Sequence, residues 1–272
     1  VRAFDRNERF SMTDSTNLAA REFIECEFEN PRAAQLGLLI GSRQSLLTTY
    51  LFYQSLAHLG TRASDFLSKL EAGNQVARHA ATGPSRVLGE MRIQIPDEHG
   101  DWTTVDSLME TGPLAGDVFV VPLPHIDRER VKVRIELGKG HWRTDYLALA
   151  VLGDRVTPTR IEPEKAYRQG VIDDSACKMM SSDSTFIVTM PGDEYDIIYR
   201  IPQLFSSDPE LFLEARGYYL EWMRDEWMVE ENTGKLALLL MNPTEYLRQV
   251  APEYKKIESA MEDYFWGSRF AR

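Results

Sequence analysis

Apolar and polar positions alternate most cleanly over Val131-Lys132-Val133-Arg134-Ile135-Glu136-Leu137, where every odd residue is apolar and every even one charged. A strand's side chains point to opposite faces in turn, so this segment predicts a strand with one buried and one wet face. Phe23 to Phe28 alternates in the same way. Leu36 to Ile40 follows after Asn30-Pro31, which predicts two short strands joined by a turn. Val87 to Ile95, a turn over Asp97 to Asp101, and Trp102 to Val105 read as a hairpin. Beyond Gly138-Lys139-Gly140, the nearly all-apolar run Tyr146 to Leu152 predicts a central strand. Further strands are expected at Phe186 to Met190, Tyr195 to Ile201 and Phe212 to Leu220.

The period changes from two to about 3.6 in two regions. From Ser45 to Leu59 apolar residues recur at Leu46, Leu47, Tyr50, Leu51, Tyr53, Leu56 and Leu59, and Gly60 follows as a stop. A second helix is expected over Ala63 to Ala72, ending at Gly73-Asn74, before a break at Thr82-Gly83-Pro84-Ser85. Past Glu221 the texture is helical again. Asn242-Pro243-Thr244-Glu245 sets a cap, a first-turn proline and an acid in the order that opens a helix. A last helix over Glu253 to Phe265 would put Ile257, Met261, Tyr264 and Phe265 on its apolar side. The pattern therefore predicts a mainly β domain over residues 1–225 with a helical insertion at about 43–74, and a helical extension over 226–272 packed on that domain or on a partner.

Val131 to Leu137 leading into Gly140-His141-Trp142-Arg143-Thr144-Asp145-Tyr146-Leu147-Ala148-Leu149-Ala150, together with Gly192-Asp193, Phe212-Leu213 and Gly217-Tyr218-Tyr219-Leu220-Glu221-Trp222, carries a resemblance. These stretches are similar to the galactose-binding or discoidin-like jelly-roll module of bacterial cell-envelope proteins and lipoproteins. In outline the likeness spans residues 20 to 225. It implies a β-sandwich of the jelly-roll kind and an extracytoplasmic setting, periplasm or cell surface, with a lipid anchor on a segment outside this sequence. It brings no ligand residues with it. The opening Val1-Arg2-Ala3-Phe4-Asp5 reads as the start of a mature or internal fragment.

Composition removes some function classes. Of 272 residues, 43% are hydrophobic and 27% charged, the balance of a folded domain, and a net charge of −11 repels nucleic acid. No apolar run approaches the roughly 20 residues of a membrane-spanning helix. Cys26 and Cys177 allow one disulfide at most and belong to no CxxC cluster. His58, His79, His99, His125 and His141 are scattered without HExxH spacing, and no GxSxG, P-loop or GxGxxG pattern is present, so no metal or cofactor is expected.

Two groups of residues are candidates for recognition. A sugar site needs a flat aromatic platform beside planar polar groups, which Trp102, His141, Trp142, Arg143 and Asp145 would supply. Alternatively, Trp142 plugs the end of the sandwich and Asp145 caps the turn or pairs with Arg143. Trp222, Trp227, Tyr246, Tyr254, Tyr264, Phe265 and Trp266 crowd the tail and would form a surface for other protein subunits, or would pack the tail onto its own chain. The acids Asp173, Asp174, Asp183, Asp193, Glu194 and Asp196 fit solvated loops and match no EF-hand spacing. On these residues a non-catalytic structural or binding component of an envelope assembly is favoured. A carbohydrate-binding module is the alternative, and a glycan-active hydrolase a third reading for which no carboxylate pair is selected.

Overall fold

The computed structural model describes residues 5, 7–113, 116–182, 184–190, 192–202, 210–215, 217 and 225–268, with side chains to residue 264. The chain divides into two units, Val1–Gly153 with Met223–Arg272, and Asp154–Trp222.

The first unit holds strands β1 (Arg21–Glu29), β2 (Leu36–Gln44), β3 (Met91–Pro96), β4 (Trp102–Leu108), β5 (Asp117–Leu123), β6 (Arg130–Gly138) and β7 (Trp142–Val151). They form two antiparallel sheets, ordered β1-β6-β3-β4 and β5-β2-β7. Leu38 and Ile40 of β2, Met91 and Ile93 of β3, Val121 of β5, Val131, Val133 and Ile135 of β6, and Trp142 and Leu147 of β7 share one core. Two sheets closing on one core make a sandwich-like fold. The strictly alternating β6 pairs with β1, and its outward Arg134 faces Glu25 across the ladder with a nitrogen–oxygen distance of 2.5 Å.

Several strand expectations change. β1 and β2 are not hairpin partners: β1 spends its whole length on β6, and the intervening turn carries the chain across to the other sheet. Among the described residues the apolar β7 is an edge strand beside β2, with a bridge from Arg9 to Thr144 on its far side. β2 is the central strand of that sheet. Residues 186–190, 212–215 and 217 form no strand, and the rest of the strand expected over 212–220 lies outside the described residues.

Helices fill the gap between β2 and β3: α1 (Leu47–Leu59), a 3-10 turn (Gly60–Arg62), α2 (Ala63–Glu71), α3 (Gln75–Ala81) and α4 (Gly83–Leu88). The Gly83-Pro84 pair, read as a break, opens α4, because a proline in the first turn forfeits no helical hydrogen bond. Val87 and Leu88 thus belong to α4, and the strand starts later, at Met91.

After the second unit, α6 (Asp225–Val229), α7 (Thr233–Met241) and α8 (Pro243–Ser268) return to the first. α8 runs through Pro252, where the sequence suggests two helices. An interior proline costs about 3 kcal/mol, but Tyr246, Leu247, Val250, Ala251 and Tyr254 on both sides of it bury into one core with Leu18, Leu47, Tyr50, Leu51 and Leu88. No helix among the described residues is long and apolar enough to cross a membrane.

The second unit has β8 (Pro163–Arg168), β9 (Val171–Ile172), α5 (Asp174–Met180) and β10 (Tyr195–Tyr199), in an antiparallel sheet ordered β10-β8-β9. Among its described residues only Ala166 and Ala176 are buried hydrophobics.

Candidate functional site

The Gly138 to Gly140 turn between β6 and β7 sets the geometry of the polar end of the sandwich. Gly140 has φ of +75°, and a Cβ there would fall 2.5 Å from the backbone nitrogen of Thr13. Only glycine lets the N-terminal segment pass so close. That segment brings in Glu8, the ends of β2 and β7 present Arg43 and Arg143, and α8 presents Glu258 and Glu262.

These side chains bind one another. Arg43 meets Glu8 through two hydrogen bonds, Nε to Oε1 at 2.5 Å and Nη2 to Oε2 at 2.7 Å. Arg143 Nη2 lies 3.4 Å from Glu262 Oε1, and Arg43 Nη1 3.8 Å from Glu262 Oε2. Glu262 Oε1 also accepts the Leu46 N–H at 3.0 Å, and Glu258 Oε1 accepts the Thr13 N–H at 2.7 Å. Lys255 ties to Glu258 Oε2 at 2.9 Å and to the Thr13 carbonyl at 2.8 Å. The Arg143 guanidinium covers the Phe10 ring at 3.8 Å. Two arginines against Glu8 and Glu262 leave the centre neutral, as buried charge requires.

The structure disperses the proposed sugar platform. Trp142 is 1% exposed inside the sandwich core, so its ring has no face for a ligand. The pattern that placed it at a strand start was right about position, but the ring points into the core. His141 beside it is buried with neither ring nitrogen hydrogen-bonded, and burial first, then the Arg21 charge, holds its pKa down at about 4. Arg143 is engaged as described, and Asp145 is buried. Trp102 lies on β4 in the other sheet, half-buried, with the Arg134 guanidinium over its ring at 4.2 Å.

The tail aromatics are also placed differently from a partner surface. Tyr246 and Tyr254 are buried in the core that joins α8 to α1 and α4. Trp227 packs on Tyr53, ring centres 5.3 Å apart, beside Leu56 and Leu236. Tyr246 and Tyr254 of the long α8 serve as core, and Trp227 of the short α6 is half-buried against Tyr53, so these three are taken up by contacts within the chain. Tyr264 is 80% exposed. Trp222 and the side chains of Phe265 and Trp266 lie outside the described residues.

A shallow depression with a cavity volume of about 10 Å³, lined by Arg9, Phe10, Ser11, Glu22, Ile24, Leu137 and Trp142, adjoins the polar cluster. Small-molecule sites usually start near 300 Å³. No family model, curated protein or solved structure matches the chain.

The acidic loops serve local structure. Asp173 caps α5 by accepting the Ser175 and Ala176 N–H groups, and Asp193 accepts from Met190 N–H at 2.9 Å and Arg168 at 2.8 Å. The Ser175 hydroxyl, donating to Asp173 at 2.6 Å, and then these N–H groups hold the Asp173 carboxyl below the usual range, and the Met190 N–H followed by Arg168 does the same for Asp193. Asp97 organises the hairpin turn by accepting from the His99 and Asp101 N–H groups. Asp183 lies outside the described residues. No metal-holding group of three or more His, Cys, Asp or Glu occurs among the described residues. Cys26 and Cys177 are free thiols, and burial pushes Cys26 up.

The reading of the sequence missed Glu8, Arg43, Glu258 and Glu262. One signal was present for the last two: Val250, Tyr254, Glu258 and Glu262 form a single row four residues apart along α8. Charged residues on an apolar row are the mark of buried partners elsewhere.

Proposed function

We propose that this chain is a structural or binding component, without catalysis of its own, of an extracytoplasmic protein assembly in the bacterial cell envelope, built on a jelly-roll sandwich. The observation that carries the reading is the surface of the 154–222 unit. Val171 on β9 is 71% exposed, Val188 77% and Phe212 84%, and Ile172, Ile197, Ile198 and Leu213 are exposed as well. Among its described residues the unit buries only two alanines as hydrophobics while leaving such side chains in water, and apolar surface of this kind marks association. The interacting surface is therefore this unit rather than the aromatic tail.

Further support comes from topology and from the polar cluster. Every connection between consecutive strands β1 to β7 crosses from one sheet to the other except the β3–β4 hairpin, and such crossing is how jelly rolls are wound. The charged groups of the cluster are spent on fastening α8 and the N-terminal segment to the sheets. The envelope setting rests on the resemblance given above.

The test is gentle purification of the tagged chain from its native membrane fraction, followed by mass spectrometry of what stays bound. Stoichiometric protein subunits are expected, and they should be lost when Val171 and Ile172 are both changed to Glu. A chain that purifies alone, and binds immobilised glycans instead, would overturn the reading in favour of a carbohydrate-binding module.

A further inference from the structure

β10 is an edge strand: β8 pairs with one side, and among the described residues no strand pairs with the other. One hydrogen bond shows which groups face the open side. The Gln169 N–H donates to the Glu194 carbonyl at 3.1 Å, so Glu194, and by alternation Asp196 and Ile198, turn their backbone polar groups toward β8. Tyr195, Ile197 and Tyr199 turn theirs outward; the ladder shifts register between Ile198 and Tyr199, but the extra residue, Glu164, lies on β8, so the alternation along β10 continues. Side chains alternate too. Ile197 stands opposite Ala166, which is buried where α5 packs on β8, so Tyr195, Ile197 and Tyr199 project on that face. Asp196, Ile198 and Arg200 project on the other, where Arg200 also holds Glu164 through two hydrogen bonds of 2.8 Å.

We propose that β10 pairs antiparallel with β10 of a second copy of this chain, about a twofold axis at Ile198. In an antiparallel ladder outward-turned residues must meet outward-turned residues, so a central twofold passes through Ile197 or Ile198. At Ile197 it would set Asp196 against Ile198, a carboxylate against an aliphatic chain. At Ile198 it sets Ile197 against Tyr199 and Tyr195 against Ile201 on one face. On the other face Ile198 meets itself between two Asp196–Arg200 pairs. Cross-strand aromatic–aliphatic and opposite-charge pairs both stabilise a sheet. The segment Tyr195-Asp196-Ile197-Ile198-Tyr199-Arg200-Ile201 is complementary to its own reverse, which selects a second copy over an unrelated strand. Exposed apolar edges pair with other chains unless something blunts them, and no proline interrupts β10. The pairing rests on the reading of the 154–222 unit as the interacting surface and names its partner.

Sedimentation velocity of the full chain at physiological ionic strength tests it. The wild type should show a concentration-dependent dimer. Asp196→Arg sets arginine against arginine at two symmetric positions and should raise the dimer dissociation constant roughly tenfold or more. The double variant Asp196→Arg with Arg200→Asp restores opposite charges and should recover the dimer. Ile197→Pro is a second probe, because it removes an N–H that faces the open edge and leaves the β8 ladder intact; circular dichroism confirms that each variant is folded. A wild type that is monomeric at every concentration, or an Asp196→Arg variant that dimerises as well as the wild type, overturns the pairing. If that monomer still co-purifies with other subunits, the assembly reading stands and self-pairing alone falls.

Discussion

His58 and His141 are each held neutral by burial, with pKa values of about 4. His141 has no hydrogen-bond partner on either ring nitrogen, and His58 only Tyr246 Oη, 3.1 Å from Nε2. In the unfolded chain both titrate near ~6.5. Between the two values the unfolded state binds more protons, so their contribution is full above about pH 6.5 and is lost as pH falls toward about 4, by ~1.4 kcal/mol per histidine per pH unit. Urea unfolding at pH 7 and pH 5 checks this: the midpoint should drop at pH 5, and His141→Leu should remove about half of the drop. Gly140 is the other residue whose chemistry is forced by its surroundings. Gly140→Ala adds a Cβ against the Thr13 backbone in a left-handed conformation, and we expect a loss of roughly 1–3 kcal/mol, read from the thermal midpoint. By contrast, a Trp142→Phe variant should leave any surface binding unchanged, since that ring is core.

Among the elements, α8 depends most on partners far away in sequence. Glu262→Ala leaves Arg143 short of a carboxylate and the Leu46 N–H without its acceptor, a change expected to cost about 3–5 kcal/mol. Hydrogen exchange should show the second half of α8 opening before the sheets. The same helix shows where the sequence was readable. Its start was legible because Asn242, Pro243 and Glu245 are local signals, and the Asn242 side chain does accept the Glu245 N–H at 3.3 Å. Its buried side was not, because Ile257 and Tyr264 look apolar and are exposed, while Glu258 and Glu262 look polar and are buried. Glu262 is accepted into the interior by Arg43 and Arg143, more than a hundred residues upstream, and Glu258 by Lys255 and the Thr13 N–H. β6 was legible for the opposite reason: its alternation is complete within seven residues. β7 lost its expected central place because sheet order depends on pairing, which an apolar run does not encode. The short β8, β9 and α5, with two buried alanines between them, leave almost no hydrophobic period to read.

At the scale of the whole molecule, the first unit is discontinuous and the second is inserted into it. Residues 152–162 form no helix or strand, and Arg155 and Arg160 are exposed there. Limited trypsin treatment should cut first at these arginines. The product should keep its near-ultraviolet dichroism, because residues on both sides of the second unit share one helical core. Mass spectrometry of the nicked but undissociated protein checks the first point, and its near-ultraviolet dichroism the second.

The ion cluster that joins the N-terminal segment, β2, β7 and α8 also sets an order of events during synthesis. Arg43 and Arg143 leave the ribosome well before Glu262, so the sheets can close while two guanidinium groups at their end still lack half of their counter-charge. The helical core is unfinished at that stage too, since Tyr246 to Tyr254 have yet to arrive. For the interval in which the 154–222 unit is being made, the nascent chain therefore presents an open apolar helix layer and, at the end of its sheets, a guanidinium short of its counter-charge, the state in which a chaperone or premature contact with a neighbouring chain would act.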